Sequence, residues 1–292
     1  MQRETAFYSD GLRLAARLFT PDALARGGCP AIVMCQGAIG RKEAFGFPCI
    51  AQRFAALGYA ALIFDHRGFG ASDGERGRFY PMEWVRDARD AVTFMASEPG
   101  IDPEHVSLFG ASIGGGVAVR AGADDARVRC VVSVVGFGDG ERMARAGRSD
   151  ADWAAFKARV EADVARVVRG ARSELVSRGE ISRADPASSS VRARVVGDIG
   201  DARVPNLTLQ SVARLMAFKP MEAARSIAPR AALFIGAEHD AVTPFDGVAA
   251  MHHQAGEPKR LERLDGLTHY EVYEEPHVSR IIALTDEWLR AH

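Results

Sequence analysis

The sequence predicts an α/β fold, in which a mostly parallel central sheet follows an N-terminal antiparallel hairpin and is interrupted by a helical insertion. Three observations support this prediction. Most of the predicted strands are continuous apolar runs, as in strands that are buried on both faces of a sheet. Segments with apolar residues at helical spacing lie between these runs. The alternation stops after Gly136 and resumes about eighty residues later.

The elements of this fold follow in chain order. Residues 5–8 and 12–19 alternate as two strands of a hairpin, and Ser9-Asp10-Gly11 joins them in a tight turn. Gly58 ends the first predicted helix in the C′ position, and Pro81 opens the second. The apolar runs predict buried strands at 31–35, 60–64, 105–109, 128–135 and 231–236, and a further strand is predicted at 259–264. Helices are predicted at 43–57, 81–97, 113–123, 246–255 and 279–290.

The insertion is predicted to span residues 137–219, between the two parts of a core domain, 1–136 and 220–292. Ser149 and Asp150 form a plausible N-cap, and Trp153, Phe156 and three valines follow at helical spacing. The two aromatic side chains belong either to the packed interior of this insertion or to the lining of a pocket. Residues 183–198 are polar and turn-rich. We expect the insertion to be a helical cap over the core.

Charge distinguishes the insertion from the core. Residues 137–219 hold 15 Lys and Arg against 11 Asp and Glu, a net charge of +4, and the remainder holds 22 against 27, a net charge of −5. The excess indicates either a solvated, arginine-rich helical surface or a preference for anionic substrates. Over the whole chain 37 Lys and Arg nearly balance 38 Asp and Glu. We therefore expect a small-molecule substrate, and neither nucleic acid nor a membrane as partner.

The N-terminal residues and the cysteines predict a cytoplasmic location. The first 19 residues lack an apolar signal core, and nowhere do about 18 uncharged apolar residues run together. No paired C-x-x-C spacing is present among Cys29, Cys35, Cys49 and Cys130. The sequence makes no prediction about oligomeric state.

Two G-x-S-x-G stretches offer a candidate nucleophile. A serine hydroxyl needs an adjacent base and a sharp strand-to-helix turn that presents its oxygen, with small residues on both sides. Ser112 in "GASIG" has an apolar strand before it and a helix rich in small residues after it. Ser72 in "GASDG" follows "HRGF" and precedes a segment broken by Gly, Pro and charge. The context therefore favours Ser112.

A base and an orienting carboxylate are predicted at the ends of later strands, because the active groups of an open α/β sheet gather at the carboxyl ends of its strands. Asp240 follows the strand at 231–236, and His269 follows the strand at 259–264. Their order along the chain, Ser…Asp…His, is that of a catalytic triad. Glu238 and Asp139 are the rival acids, and Asp240 is favoured because Pro244 stiffens its turn.

The oxyanion of an acyl-transfer reaction needs two hydrogen-bond donors. One is expected to be the backbone N–H of Ile113, which follows the nucleophile, and the other that of Ala38, in the Gly-rich loop after the first parallel strand. Four other histidines are candidates for metal ligands: His66, His239, His252 and His253. Their spacing is not that of a metal site, and surface or turn positions explain them better. Neither a metal nor another cofactor is expected.

Several of these motifs together resemble the α/β-hydrolase superfamily. They are "GASIGGG" as the nucleophile elbow, "FDHRGFGASDG" as the turn after the next strand, "LFIGAEHDAVTP" as the acid loop and "GLTHY" as the base loop. The resemblance covers about 1–136 and 220–292, and is greatest to dienelactone-hydrolase-like and Xaa-Pro-peptidase-like serine hydrolases, including esterases and fungal polyketide-transferase-like proteins. It implies that Ser72 belongs to a structural turn. Where such proteins usually have His-Gly, this chain has Gln36-Gly37.

The expected reaction is cleavage of a carboxylic ester or thioester through an acyl-enzyme. Ser112 would attack the carbonyl, His269 would move the proton, and Asp240 would orient the imidazole. A peptidase or amidase, an acyltransferase and a carbon–carbon bond hydrolase would use the same triad. A ligand-binding protein on a hydrolase scaffold is the alternative outside enzymes.

Overall fold

The structure is a computed structural model and describes residues 1–23, 27–37, 40–183, 186–195 and 206–292. Its strands, in chain order, are β1 (Gln2–Ser9), β2 (Leu12–Phe19), β3 (Cys29–Cys35), β4 (Ala60–Phe64), β5 (Ile101–Ala111), β6 (Val128–Val134), β7 (Leu175–Val176), β8 (Leu207–Thr208), β9 (Ala231–Ala237) and β10 (Lys259–Leu264). Its helices are α1 (Phe47–Ala56), α2 (Pro81–Ser97), α3 (Ile113–Asp124), α4 (Gly140–Arg145), α5 (Asp150–Val168), α6 (Arg178–Ile181), α7 (Pro186–Val195), α8 (Leu209–Met216), α9 (Pro220–Ala223), α10 (Phe245–Gln254) and α11 (His277–Ala291).

Eight strands form one central sheet in the order β1-β2-β4-β3-β5-β6-β9-β10. The first two strands form the predicted antiparallel hairpin, and β2 also pairs antiparallel with β4. All remaining neighbours in this sheet are parallel. The carboxyl ends of β5, β9 and β10 therefore lie at the same edge, and the loops that follow them can meet there. This architecture confirms the predicted α/β-hydrolase fold.

The sheet is apolar on both faces because helices cover both. Ala31 and Val33 of β3 pack into the layer that contains helices α2 and α3. Ile32 and Met34 of the same strand pack into the layer on the opposite face, with α1 and α11. Alternate residues of a strand point to opposite faces, so a strand between two helical layers must be apolar throughout. This explains the continuous apolar runs in the sequence.

The segment between β6 and β9 carries α4 to α9 and the small antiparallel pair of β7 and β8. Trp153 and Phe156 are buried in the apolar layer shared with α2 and α3, and neither lines the cavity described below. Packing, and not pocket lining, is therefore their role. The division of the chain at residues 137 and 219 stays a prediction.

Three predictions of local structure were wrong. The first helix begins at Phe47 and not at residue 43, because Phe45 and Gly46 adopt left-handed conformations with φ of 55° and 68°. The strand predicted to end at 135 ends at Val134, since Val135 has a φ of 40°. The turn-rich segment 183–198 contains helix α7, whose first residue is a proline, a residue favoured in that position; residues 184–185 and 196–198 lie outside the described part.

No helix in the described part of the chain is both long enough and apolar enough to cross a membrane. The cytoplasmic location stays a prediction. All four cysteines are free thiols, and only Cys49 is exposed. Burial raises the pKa of the Cys35 thiol to about 12, so this side chain is a neutral packing residue at ordinary pH.

Candidate active site

Ser112 lies in a sharp turn between β5 and α3. Its backbone has a φ of 56° and a ψ of −123°, a conformation that non-glycine residues rarely adopt. The Ser112 N–H donates to the carbonyl of Val134, 2.9 Å away, which fastens the turn to β6. Strain of this kind persists only where the surroundings enforce it, and it is concentrated at functional sites.

The flanking glycines are required by close contacts between main chains. A Cβ atom added to Gly110 would lie 2.0 Å from the carbonyl oxygen of Gly114, and one added to Gly114 would lie 2.0 Å from that of Cys35. Real Cβ atoms do not approach oxygen so closely. Any larger residue at either position would therefore push α3 away from the sheet.

The structure brings Ser112, His269 and Asp240 together from three separate loops. The Ser112 hydroxyl lies 3.0 Å from Nε2 of His269. On the other side of the imidazole, Nδ1 lies 2.7 Å from Oδ2 of Asp240. With the proton on Nδ1, the imidazole donates to the carboxylate and leaves Nε2 to accept from the serine. All three side chains are buried.

Asp240 is held by its own turn. Its Oδ1 accepts the backbone N–H groups of Val242 at 2.8 Å and Thr243 at 2.7 Å, which leaves Oδ2 for the histidine. The hydroxyl of Thr243 lies 2.9 Å from that Oδ2, 3.1 Å from Nδ1 of His269 and 2.7 Å from the carbonyl of Val135. Thr243 therefore links the acid, the base and the end of β6. Thr243 was not predicted from the sequence, although its place in the Asx turn before Pro244 was the available signal.

The two predicted oxyanion donors have different outcomes. Ile113 is the first residue of α3, where N–H groups have no carbonyl partner within the helix, and it lines the cavity beside Ser112. Ala38 lies outside the described residues. Its neighbour Gly37 also lines the cavity, and a Cβ atom there would lie 3.1 Å from Cβ of Ser112. The loop thus passes close to the serine at Gly37.

A cavity of about 320 Å³ opens onto Ser112 and His269. Much of its wall is apolar or aromatic and includes Phe45, Phe79, Met143, Leu207, Val242 and Tyr273. Three arginines of the segment between β6 and β9 also line it: Arg178, Arg183 and Arg192. These nine residues come from distant parts of the chain, and none of them was predicted from the sequence.

The rival residues have other partners. The Ser72 hydroxyl accepts the N–H of Ala15 at 2.9 Å and donates to the carbonyl of Asp65 at 2.6 Å, so it is a structural group. Asp139 is the N-cap of α4 and accepts two backbone N–H groups there. Glu238 accepts the N–H of Gly266.

The remaining histidines are not gathered into one site. His239 is exposed, and His252 and His253 lie on α10. Of the two predicted positions, surface or turn, His66 has the second: its carbonyl accepts the N–H of Phe69, and its side chain is fully buried and stacked on Trp84 with ring centroids 3.8 Å apart. Burial lowers the pKa of His66 well below its usual value, and Arg67 lowers it further. Among the described residues, no group of three or more His, Cys, Asp or Glu could hold a metal ion.

Comparison with known proteins shows relatives of similar length. The chain is 29% identical over 265 residues to an uncharacterized 31.7 kDa protein in the traX-finO intergenic region of Escherichia coli, covering 90% of this chain and 91% of that protein. It is 28% identical over 291 residues to acyltransferase drtE of Aspergillus calidoustus, covering 91% and 86%. A shorter match of 126 residues, 40% identical, links it to thiohydrolase aneE of Aspergillus aculeatus and covers 43% and 38%.

A solved structure and a family model agree with the fold. The crystal structure of the α/β hydrolase GrgF from Penicillium sp. sh18 superposes with a TM-score of 0.80 at 24% identity, covering 100% of this chain and 99% of that one. The family model described as "Serine aminopeptidase, S33" matches residues 30–276. Its match confirms the predicted superfamily, and the finer placement near dienelactone hydrolases stays a prediction. The chain therefore belongs to this serine aminopeptidase S33 family of α/β hydrolases.

Proposed function

We propose that this protein cleaves an ester or thioester of a small to medium organic acid through an acyl-enzyme on Ser112. The observation that carries the proposal is the continuous chain of contacts from Oγ of Ser112 to His269, 3.0 Å, and on to Asp240, 2.7 Å. Ser112, at the start of this chain of contacts, lines a cavity with a largely apolar wall. An acyl group can be held against a nucleophile in such a space.

The reaction divides into two steps. In the first, Oγ of Ser112 bonds to the substrate carbonyl carbon while its proton passes to Nε2 of His269, and Asp240 stabilises the imidazolium. The negative oxygen of the tetrahedral intermediate would be held by the N–H of Ile113 and, in our proposal, that of Ala38. The histidine then gives its proton to the departing alcohol or thiol. In the second step water repeats this sequence, and the acid is released.

An aminopeptidase reaction is the alternative that the family description suggests. An aminopeptidase must hold the cationic α-amino group of its substrate, and a carboxylate is the side chain that pairs with such a group. Among the described residues that line the cavity there is no Asp or Glu, and there are three arginines. This charge favours an ester or thioester without a free amine over a peptide.

An acyltransferase reaction is the second candidate, and the name of the relative drtE favours it. The first step would be the same, and an alcohol or thiol would take the place of water in the second. The name of thiohydrolase aneE favours water as the acceptor and a thioester as the substrate. Adding an alcohol to an ester assay and looking for a new ester in place of the acid distinguishes transfer from hydrolysis.

The test is labelling by a fluorophosphonate, followed by assays on 4-nitrophenyl esters of graded acyl length. We expect the native protein and Ser72→Ala to be labelled, and Ser112→Ala not to be. Loss of labelling in a folded Ser72→Ala protein together with its retention in Ser112→Ala would contradict the proposal. A native protein that is neither labelled nor active on esters, thioesters, amides or carbon–carbon bonds would instead be a ligand-binding protein.

A further inference from the structure

The polar groups along the cavity wall are unevenly charged. Of the described lining residues, three carry guanidinium groups, Arg178, Arg183 and Arg192, and none carries a carboxylate. The three come from α6, the residues after it and α7, while Ser112 and His269 belong to the loops of the central sheet. We call these three residues the arginine wall.

Two members of the arginine wall act on the interior of the cavity. Burial raises the pKa of Tyr270, whose side chain also lines the cavity; Arg192 opposes that rise, Asp240 adds to it, and Arg178 opposes it. The charges of Arg192 and Arg178 are therefore felt at a hydroxyl beside the catalytic histidine. Both arginines have further contacts within the chain, and they line the cavity while making them.

Arg183 adds a third positive charge to the lining of the cavity. It lies 3.4 Å from the carbonyl of Gly147 and 3.5 Å from a carboxylate oxygen of Asp152, and both are long contacts. Its side chain is close enough to Arg148 to be felt there: burial lowers the pKa of Arg148, and Arg183 lowers it further. Arg148 itself does not line the cavity, and the carboxylates of Asp152 and Glu180 offset part of this effect.

We propose that the substrate is an anion, whose ester or thioester carries a carboxylate or phosphate group that the arginine wall recognises. Arginine suits this role because its planar fork of donors matches both groups in a bidentate manner. The apolar side chains that line the rest of the cavity strengthen the attraction, since they keep water from screening the charges. The inference rests on the proposed function for the reaction, and its binding part can be tested without turnover.

The test uses two pairs of compounds, each of which consists of an anion and its neutral analogue. Mono-4-nitrophenyl adipate and its neutral methyl ester place the charge on the acyl side, and an S-acyl 4′-phosphopantetheine and the same S-acyl pantetheine place it on the thiol side. Binding to Ser112→Ala, which leaves the substrates intact, is measured by calorimetry. In one pair we expect the anion to bind about tenfold more tightly than its neutral partner, as is typical of charge-assisted hydrogen bonds. The pair that shows the effect identifies the charged end.

Variants of the arginine wall test whether the arginines cause the preference for the anion. Arg178→Gln, Arg183→Gln and Arg192→Gln, each in the Ser112→Ala background, are expected to reduce the ratio of the two dissociation constants, and the triple variant to bring it below about twofold. Arg194→Gln is the matched control, because Arg194 lies on the same helix as Arg192 but bonds to Glu274 and does not line the cavity. Its ratio should stay unchanged. Single variants keep the test informative where the triple variant does not fold.

Two outcomes separate this inference from the proposed function. The first is equal binding of the anion and its neutral partner in both pairs, or a preference that survives every folded Arg→Gln variant. Either result would overturn the proposal that the arginine wall binds an anion, even where the native protein hydrolyses neutral esters. The second is a clear preference for the anion in a native protein that cleaves none of the compounds. It would support anion binding by the arginine wall and count against hydrolysis.

Discussion

The two G-x-S-x-G turns of this protein share their letters and differ in what their serine hydroxyls contact. The Ser72 hydroxyl forms hydrogen bonds with two main-chain groups, the N–H of Ala15 and the carbonyl of Asp65. Ser112 faces the Nε2 atom of His269 on one side and an open cavity on the other. A hydroxyl that already exchanges two hydrogen bonds with buried backbone has no base to activate it. The partners, and not the motif, therefore distinguish a structural serine from a nucleophile.

A buried aspartate accompanies each serine, and the two aspartates use their oxygens differently. Asp65 accepts the N–H groups of Lys42 and Ala71, and the Lys42 ammonium lies 3.2 Å from it. Asp240 accepts two N–H groups with Oδ1 and keeps Oδ2 for an imidazole. One carboxylate closes a loop, and the other both closes a loop and orients a base.

The largest expected effect is that of Ser112→Ala. Removing the nucleophile should lower kcat/KM toward the best ester by roughly 10⁴–10⁶-fold, since the remaining triad residues have nothing to activate. Initial rates and far-UV circular dichroism on the same preparation measure activity and folding together. Activity within tenfold of the native protein in a folded Ser112→Ala variant would refute the comparison of the two turns.

Asp240→Asn is expected to come next, with a loss of roughly 10³–10⁴-fold in kcat. The amide would no longer hold the imidazole with its proton on Nδ1, so Nε2 would not be free to accept from the serine. Asp139→Asn is the control, because this rival acid caps a helix and does not touch the histidine. Because asparagine caps a helix about as well as aspartate, it should lose less than about 1 kcal/mol of unfolding free energy, from the charge at the helix N-terminus, and little activity. The reverse pattern would transfer the role of the acid to Asp139.

Thr243→Val should have an intermediate effect, about tenfold on kcat with little change in KM. The substitution keeps the shape of the side chain and removes the hydroxyl shared by Val135, Asp240 and His269. Thr243→Ser keeps the hydroxyl and should restore most of the lost rate. If the serine variant is as slow as the valine variant, the hydroxyl alone does not hold the acid and the base in place, and the packing of the methyl group is required as well.

The sequence predicted the fold well because that information is local. A strand between two helical layers must be apolar at every position, as β3 is, and a nucleophile turn without room for a Cβ atom must have glycines at 110 and 114. The order of Ser112, Asp240 and His269 along the chain could be predicted because parallel strands bring their carboxyl ends to one edge.

What the sequence could not predict depends on packing between distant segments. Helix α7 begins with Pro-Ala-Ser-Ser-Ser, a composition typical of turns, and buries Val191 and Ser188. His66 follows a strand, as an exposed turn residue would, and only the position of Trp84 on α2 shows that it is buried. The cavity combines the loop at Phe45 with side chains more than a hundred residues away, and no periodicity reveals such a combination.

The smallest expected effect on activity is that of Ser72→Ala, which completes the comparison from the other side. The variant leaves the buried N–H of Ala15 and carbonyl of Asp65 without a partner, which should cost about 1–3 kcal/mol of unfolding free energy. Below the melting temperature, kcat/KM should stay within about twofold of the native value, because the turn docks on β2 and does not touch the triad.

Ser97→Ala is the matched control. The Ser97 hydroxyl bonds to the carbonyl of Phe94 at the exposed end of α2, where water replaces the lost group. The substitution should therefore cost less than about 0.5 kcal/mol of unfolding free energy. Urea unfolding of the three proteins measures both values. Equal stability of Ser72→Ala and Ser97→Ala would show that the saturated hydrogen bonds of Ser72 do not hold its turn, and the structural half of the comparison would fail.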